Sequence, residues 1–231
     1  VMDLLASVHM HGIQTSGNDI RNITCDALEG IAEDGIVDCR PFAEITRQWS
    51  SLHPEFSYLP RKFKIAFNGA REDRAAIGWY DIGLQALKND AGEVGFTVKV
   101  GGGMGRTPIV GSVVREFLPW AELLNYIEAV VRVYNGYGRR DNKWKARIKI
   151  LVKSEGQAFI TAVEKEYRAI VDLDGAPHTI TQAELDRVTS HFVVPELKPA
   201  NLPSKVDPQG QLYQRWLAQN VRGHRLPGMK T

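Results

Sequence analysis

The sequence predicts an α+β fold, a mixed β-sheet with helices packed on it, and three observations carry that prediction. Residues 62–68 and 94–100 alternate side chains with the period of two that sets one face of a strand on a core. A further extended candidate lies between them at 75–81. Beyond Pro119, the apolar residues Trp120, Leu123, Leu124, Ile127, Val130, Val131 and Tyr134 recur at helical spacing.

The chain opens with Met2, Leu5 and Val8 at helical spacing and no capping residue ahead of them, so residues 1 to about 13 are expected to be the tail of a subdomain that starts earlier. Gln14 to Asn18 reads as a turn, and Asp19 to Cys25 as a short extended piece carrying Arg21. Asp38 is the expected N-cap of a helix over about 39–51, with Phe42, Ile45 and Trp49 on one face. Leu59-Pro60 then punctuates the chain, and the three extended candidates are expected to pair in one sheet. After the glycine run Gly101 to Gly105, Pro119 takes the first position of the amphipathic helix, which Asn135 to Gly138 ends. Asp141 is expected to cap a basic helix reaching about Lys153. Ser154 with Gln157 then forms a capping box for a helix to about Ala169, and Thr181 with Glu184 opens a shorter one. From Pro195 onward, Pro199, Pro203, Pro208 and Pro227 interrupt the chain around a helix near Leu212 to Asn220, and this end reads as a linker.

With 231 residues and 43% hydrophobic content, the chain can bury a core of its own. A net charge of +2 argues against a surface that coats nucleic acid, although residues 139–153 alone carry +6. That segment reads as a solvated helix face over Trp144, Ile148 and Leu151; nucleic-acid binding is the alternative, and no stacking aromatics alternate with its cations. The two cysteines, Cys25 and Cys39, match no zinc or iron–sulfur spacing and are too sparse for a disulfide scaffold. No histidine stands at metal-ligand spacing with a carboxylate or thiol, so no metal site is expected. No apolar run would span a bilayer and no leader is evident, so a cytoplasmic protein without membrane contact is expected.

The chemistry concentrates in Pro60 to Asn68. Phe63, Ile65 and Phe67 share one strand face, which aims Lys62 and Lys64 together at the other. Two ammonium groups on one half-buried face are unfavourable unless an anion sits between them, so the pair points to an anionic ligand. Arg61 adds a bidentate donor, and Arg21 follows a Ser-Gly-Asn turn that would project it. The glycine run fails the dinucleotide pattern, because Arg106 stands where the last glycine belongs. It fits equally a tight turn or a bare backbone lying flat on a planar cofactor, with Arg106 at the edge for a cofactor carboxylate.

The run Thr15 to Cys25 (TSGNDIRNITC), the element Leu59-Pro-Arg-Lys-Phe-Lys-Ile65 and Val100 to Gly103 occur here in the order seen in sirohaem-dependent sulfite and nitrite reductases, and the chain resembles that family over its whole length. The resemblance implies a nitrite/sulfite reductase domain-like fold. Residues 1–13 would be the tail of a truncated ferredoxin-like half, 14–172 the sirohaem- and substrate-binding domain (first repeat), and 173–231 a linker to a missing second half. It further implies six-electron reduction of sulfite to sulfide on sirohaem coupled to a [4Fe–4S] cluster, with ferredoxin or a flavoprotein as donor. In that reading Arg21, Lys62 and Lys64 bind the oxyanion and assist its protonation, while Arg61, Asn22, Gly102, Gly103 and Arg106 bind sirohaem. The family's nitrite-reducing branch tends to carry asparagine at the position of Lys64, so lysine looks like the sulfite branch. The four cluster cysteines of the family's C-terminal motifs have no counterpart here, and the isolated chain is expected to be inactive. A ferredoxin-dependent nitrite reductase fragment is the alternative enzyme; a non-enzymatic tetrapyrrole or nucleic-acid binding module is the alternative of another class.

Overall fold

A computed structural model describes residues 1–193 and 210–231. The expected connector prolines Pro195, Pro199, Pro203 and Pro208 lie outside the described residues. Five strands form one sheet in the order β1-β2-β3-β4-β5: β1 Ile20–Thr24, β2 Phe63–Asn68, β3 Ile82–Lys88, β4 Val94–Val100 and β5 Ser112–Pro119. The first three are parallel and the last two antiparallel, giving the mixed sheet expected.

Seven helices accompany it among the described residues: α1 Met2–Ser7, α2 Arg40–Ser50, α3 Leu123–Tyr137, α4 Ile148–Glu155, α5 Gln157–Asp172, α6 Gln182–Thr189 and α7 Gln211–Asn220. Residues Phe63, Ile65 and Phe67 face α2 and α3, together with Ile82, Leu84, Phe96 and Val98, all fully buried. Phe96 is the hub of this layer, meeting Phe42 of α2 edge-on at 5.3 Å and Phe67 of β2 at 5.8 Å between ring centres. The stripe expected on α3 is buried, and so is most of its circumference, including Tyr126, Ala129 and Val133. The reason is a third layer: α5 packs on the far side of α3 with Phe159, Val163 and Ile170 buried. Val188 of α6 and Ile180 ahead of it join the same core. The C-terminal residues turn back onto the chain, with Arg225 N–H donating to the Ile31 carbonyl at 2.9 Å.

The other sheet face is closed unevenly. Where Ala66, Asn68, Gly83 and Gln85 lie, the loop after β2 covers it: Asn68 Nδ2 and Gln85 Nε2 both donate to the Ala70 carbonyl at 2.8 Å. A Cβ at Gly83 would come within 2.3 Å of the Ile77 carbonyl, so only glycine lets that loop lie down. At the other end of β2, where Lys62 and Lys64 emerge, none of the described residues closes the face in this way and a cleft remains.

Five expected elements change. Cys39, not Asp38, takes the N-cap position of α2, and Asp38 accepts the Arg40 N–H at 3.1 Å from one residue further out. Residues 75–81 form a turn with a single 3₁₀ loop at Ile77–Trp79 that covers the sheet, and the strand follows at 82–88. Pro119 closes β5, and a 3₁₀ turn Trp120–Glu122 precedes α3. Asp141 pairs with Arg139 and caps no helix; residues 139–147 run through turns, and α4 begins only at Ile148. Ser154 lies inside the last turn of α4, its hydroxyl donating to the Leu151 carbonyl, and Gly156 separates α4 from α5. Thr181 does cap α6, accepting the Glu184 N–H at 3.2 Å.

Asp81 sits at the junction of these parts, completely buried between β2, the end of β4 and the start of α4. Its Oδ2 accepts the Lys64 backbone N–H at 2.9 Å, and its Oδ1 accepts Arg147 Nη2 at 2.7 Å and Nε at 3.0 Å. Its carbonyl accepts the Gly101 N–H at 3.0 Å. Burial pushes the Asp81 carboxyl up to about 6, against the pull of Arg147 and the Lys64 N–H. Tyr134 Oη donates to the Ala146 carbonyl at 2.8 Å and so pins the residue next to Arg147.

Two outcomes follow from this architecture. Phe96→Ala leaves a hole at the ring hub and is expected to lower stability by about 3–5 kcal/mol in urea unfolding. For Asp81, whose folded-state value is raised above its ordinary 3.8, stability is present below the ordinary value and lost as pH rises through about 6. Arg147→Gln removes the cation that limits this loss, so its stability deficit is expected to grow from slight near about pH 4 to about 3–5 kcal/mol near about pH 8. Equal deficits at both pH values would show that the pair does not govern this corner.

Candidate oxyanion-binding cleft

The alternation of β2 puts Lys62 and Lys64 on the open face, and the Asp81 clasp brings Arg147 beside them. The three cations line one cleft of about 340 Å³ with Trp79, Tyr80, Asp81, Met104 and Gly105. Neither lysine ammonium makes a hydrogen bond or ion pair with any of the described residues. The Lys62 ammonium is held below the usual lysine range, first by partial burial and then by the charges of Arg147, Lys64, Arg21 and Arg61. Asp81 neutralises one of the three cations, so the cleft keeps a surplus of positive charge next to an indole and a thioether. Such a lining suits a ligand with anionic groups and an apolar body.

Arg21 reaches this region from the sheet edge. The β1–β2 register slips between Ile20 and Asn22, leaving Arg21 as the extra residue of a bulge, which is how an edge strand re-aims one side chain. Its Nε donates to the Gly17 carbonyl at 2.8 Å, so the Ser-Gly-Asn turn does fix it. Arg21 and Asn22 line a neighbouring cleft with His9, His11, Gln14 and Arg47; Arg21 meets the lysines through its field and not in one cavity. Asn22 lies exposed opposite Lys64 in the register. Arg61 is half-buried, and its charge also bears on Lys62.

Packing decides the conformation of the glycine run. A Cβ at Gly102 would lie 2.3 Å from the Gly78 carbonyl and 2.5 Å from that of Tyr80; one at Gly101 would strike Val152 at 2.8 Å. Gly101, Gly102 and Gly103 are all buried against their own chain, so their bareness serves a close backbone approach. Past them, Gly103 and Ile109 exchange N–H···O bonds at 2.9 Å, and Lys149 Nζ donates to the carbonyls of Met104 and Thr107 at 2.9 and 2.6 Å. This holds the 103–109 loop at the cleft mouth with Arg106 exposed on it. Arg147 is the residue that sequence reasoning missed: it lay in a basic run read as a solvated helix face, and only its non-local acid Asp81 marks it out.

The thiols point elsewhere. Burial and the carboxylates of Glu29 and Asp38 push Cys25 up to about 12 and Cys39 higher still. Thiols in acidic, desolvated surroundings are poor thiolate ligands, so the described residues do not fit an iron–sulfur cluster.

The family described as the nitrite and sulphite reductase 4Fe-4S domain matches residues 16–170. A sulfite reductase [ferredoxin] 1 of Mycolicibacterium paratuberculosis is 30% identical over 190 residues, 80% of this chain and 34% of that protein. An assimilatory ferredoxin-dependent nitrite reductase of Haloferax mediterranei is 31% identical over 173 residues, 72% of this chain and 30% of that protein. Among solved structures, the Mycobacterium tuberculosis NirA protein superposes with a TM-score of 0.66 at 28% identity, covering 72% of this chain and 30% of that one. The chain thus spans about a third of the length of these relatives. With the match running from ahead of β1 into α5 and including Lys62 and the strand that carries Lys64, the chain belongs to the sirohaem-dependent sulfite and nitrite reductase family, within its nitrite and sulphite reductase 4Fe-4S domain.

Proposed function

We propose that this chain supplies the cationic oxyanion-binding face of an assimilatory sulfite reductase, as part of a longer cytoplasmic protein in which residues 14–172 form the substrate-binding domain. The observation that supports this reading is the pair of ammonium groups, Lys62 and Lys64, that have no hydrogen bond or ion pair among the described residues and converge with Arg147 on one cleft. A pocket of about 340 Å³ takes a small oxyanion whole. The cleft's three cations and one carboxylate sum to +2, the complement of a dianion such as sulfite.

Lys62 and Lys64 bind and orient the anion, and their donors are already in place when charge builds on a departing oxygen. The depressed Lys62 ammonium gives up a proton more readily than an ordinary lysine, so it is the proton donor of the pair. Arg21 adds field from the edge bulge, and Asp81 orients Arg147 without touching substrate. Arg61 and Arg106, and Asn22 at the rim, are the polar groups available to the carboxylates of sirohaem, whose iron would supply the electrons when bound. Gly102 and Gly103 support that side only by shaping the loop. The cluster would need thiolates from outside this chain, and the isolated chain is expected to reduce nothing. A ferredoxin donor is supported by the relatives named for it, and a flavoprotein is the alternative.

The nitrite reading rests on the Haloferax relative. In the full-length reductase, Lys64→Asn is expected to lower kcat/KM for sulfite by about 10²–10³-fold while costing nitrite less, because a monoanion needs one ammonium fewer. Turnover of both anions with one chemical reductant checks this; an equal loss for both would remove the charge argument for sulfite.

A further inference from the structure

Six histidines show no metal spacing along the chain, yet the fold brings two of them to one buried carboxylate. Glu128 lies on α3 with only 2% of its side chain exposed. Its Oε2 stands 2.6 Å from His178 Nε2 and 3.6 Å from His53 Nε2, and the three ligand atoms lie within 4.8 Å of one another. Oε2 is buried and lies at ion-pair distance from both imidazole nitrogens without a fully aligned hydrogen bond to either, so one carboxylate oxygen and two ring nitrogens converge on one point. We propose that His53, Glu128 and His178 form a binding site for a divalent transition-metal ion, zinc by preference, clamping the end of α2 and the 173–181 loop onto α3.

The donor set is the two-imidazole, one-carboxylate combination that suits zinc and leaves one position for water. Each ligand is positioned from a different element. His53 follows α2 and stacks on Phe56 with ring centres 4.1 Å apart. The His178 backbone N–H donates to Asn125 Oδ1 at 3.0 Å, one turn before Glu128 on α3. The surrounding charge favours a cation. Arg132 takes the other oxygen, Oε1, at 2.6 Å and is itself neutralised by Glu166 and Asp174 at 3.1 and 3.5 Å. With neutral imidazoles, these four charged groups sum to −2. His53 Nδ1 is buried without a partner, so one outer support is missing and the affinity expected is about micromolar, below that of a fully supported site. Side-chain exposures of 14% and 25% at His53 and His178 give the ion an entry path.

The test is zinc titration of the full chain, stripped with a chelator, by calorimetry. One zinc per chain is expected, with His178→Ala and His53→Ala each weakening binding at least about tenfold while circular dichroism stays unchanged. Trp49, 5.2 and 5.5 Å from the two imidazole rings, supplies a second readout: cobalt should quench its fluorescence in the wild type and fail to do so in His178→Ala. X-ray absorption on the zinc-loaded wild type keeps the idea testable should a variant unfold, and two imidazoles with oxygen ligands are expected. No zinc uptake, uptake indifferent to both substitutions, or sulfur in the coordination shell would overturn the site and leave a buried His–Glu–His contact that is structural only.

Discussion

A carboxylate with no exposed surface cannot remain ionised in a protein unless something inside replaces its water, and Asp81 sets the rest of the structure around that requirement. The replacement comes from two places far apart in sequence, the Lys64 N–H of β2 and the guanidinium of Arg147. Arg147 is thereby drawn inward, and the chain between α3 and α4 has to arrive at one point. Tyr134 and Lys149 then fix what lies on either side, through Ala146 and the 103–109 loop. The clasp also decides the charge of the cleft. Asp81 is spent on Arg147, and Lys64 on β2 and Lys62 just ahead of it have no ion-paired acid among the described residues.

The sheet explains why those lysines face a cleft at all. Its helical face is filled by aromatic contacts centred on Phe96, so the polar alternates of β2 must point the other way. Over most of that second face the loop after β2 comes down close enough to demand glycine at 83, and glycine at 102 lets the next strand end pass beneath Gly78 and Tyr80. Cover stops short of Lys62 and Lys64. The cleft is therefore the unpaved end of a sheet, and a bulge on the edge strand turns Arg21 toward it.

Local periodicity made much of this legible. β2, β4, α3 and the Thr181 cap stand where alternation, helical spacing and capping chemistry place them. β3 was hidden because Gly83 and Ala86 blunt its alternation, while the apolar run just before it, Ala75 to Tyr80, looks more strand-like and is in fact the covering turn. β5 carries Arg115 and Glu116 and buries only Val114 and Leu118, as an edge strand does. The lysine pair was readable because Lys64 sits on β2 and Lys62 immediately ahead of it continues the alternation. Arg147 was not, since its role depends on an acid 66 residues away, and neither was the grouping of His53, Glu128 and His178, which three separate elements assemble.

Shared ancestry with both sulfite and nitrite reductases means that the fold alone does not choose the anion; local charge has to. On the proposed reading, a cleft at +2 would gain from a dianion the full attraction of both lysines, whereas a monoanion would leave one ammonium desolvated and unpaired, a cost that would set the two substrates apart without any difference in shape. Lys62 sharpens the distinction. Its ammonium is made more acidic by burial and by four neighbouring cations, so on the proposed reading an anion that neutralises those neighbours would raise its hold on the proton. On that reading binding and protonation would be two settings of one electrostatic balance, which Asp81, by committing its charge to Arg147, keeps positive.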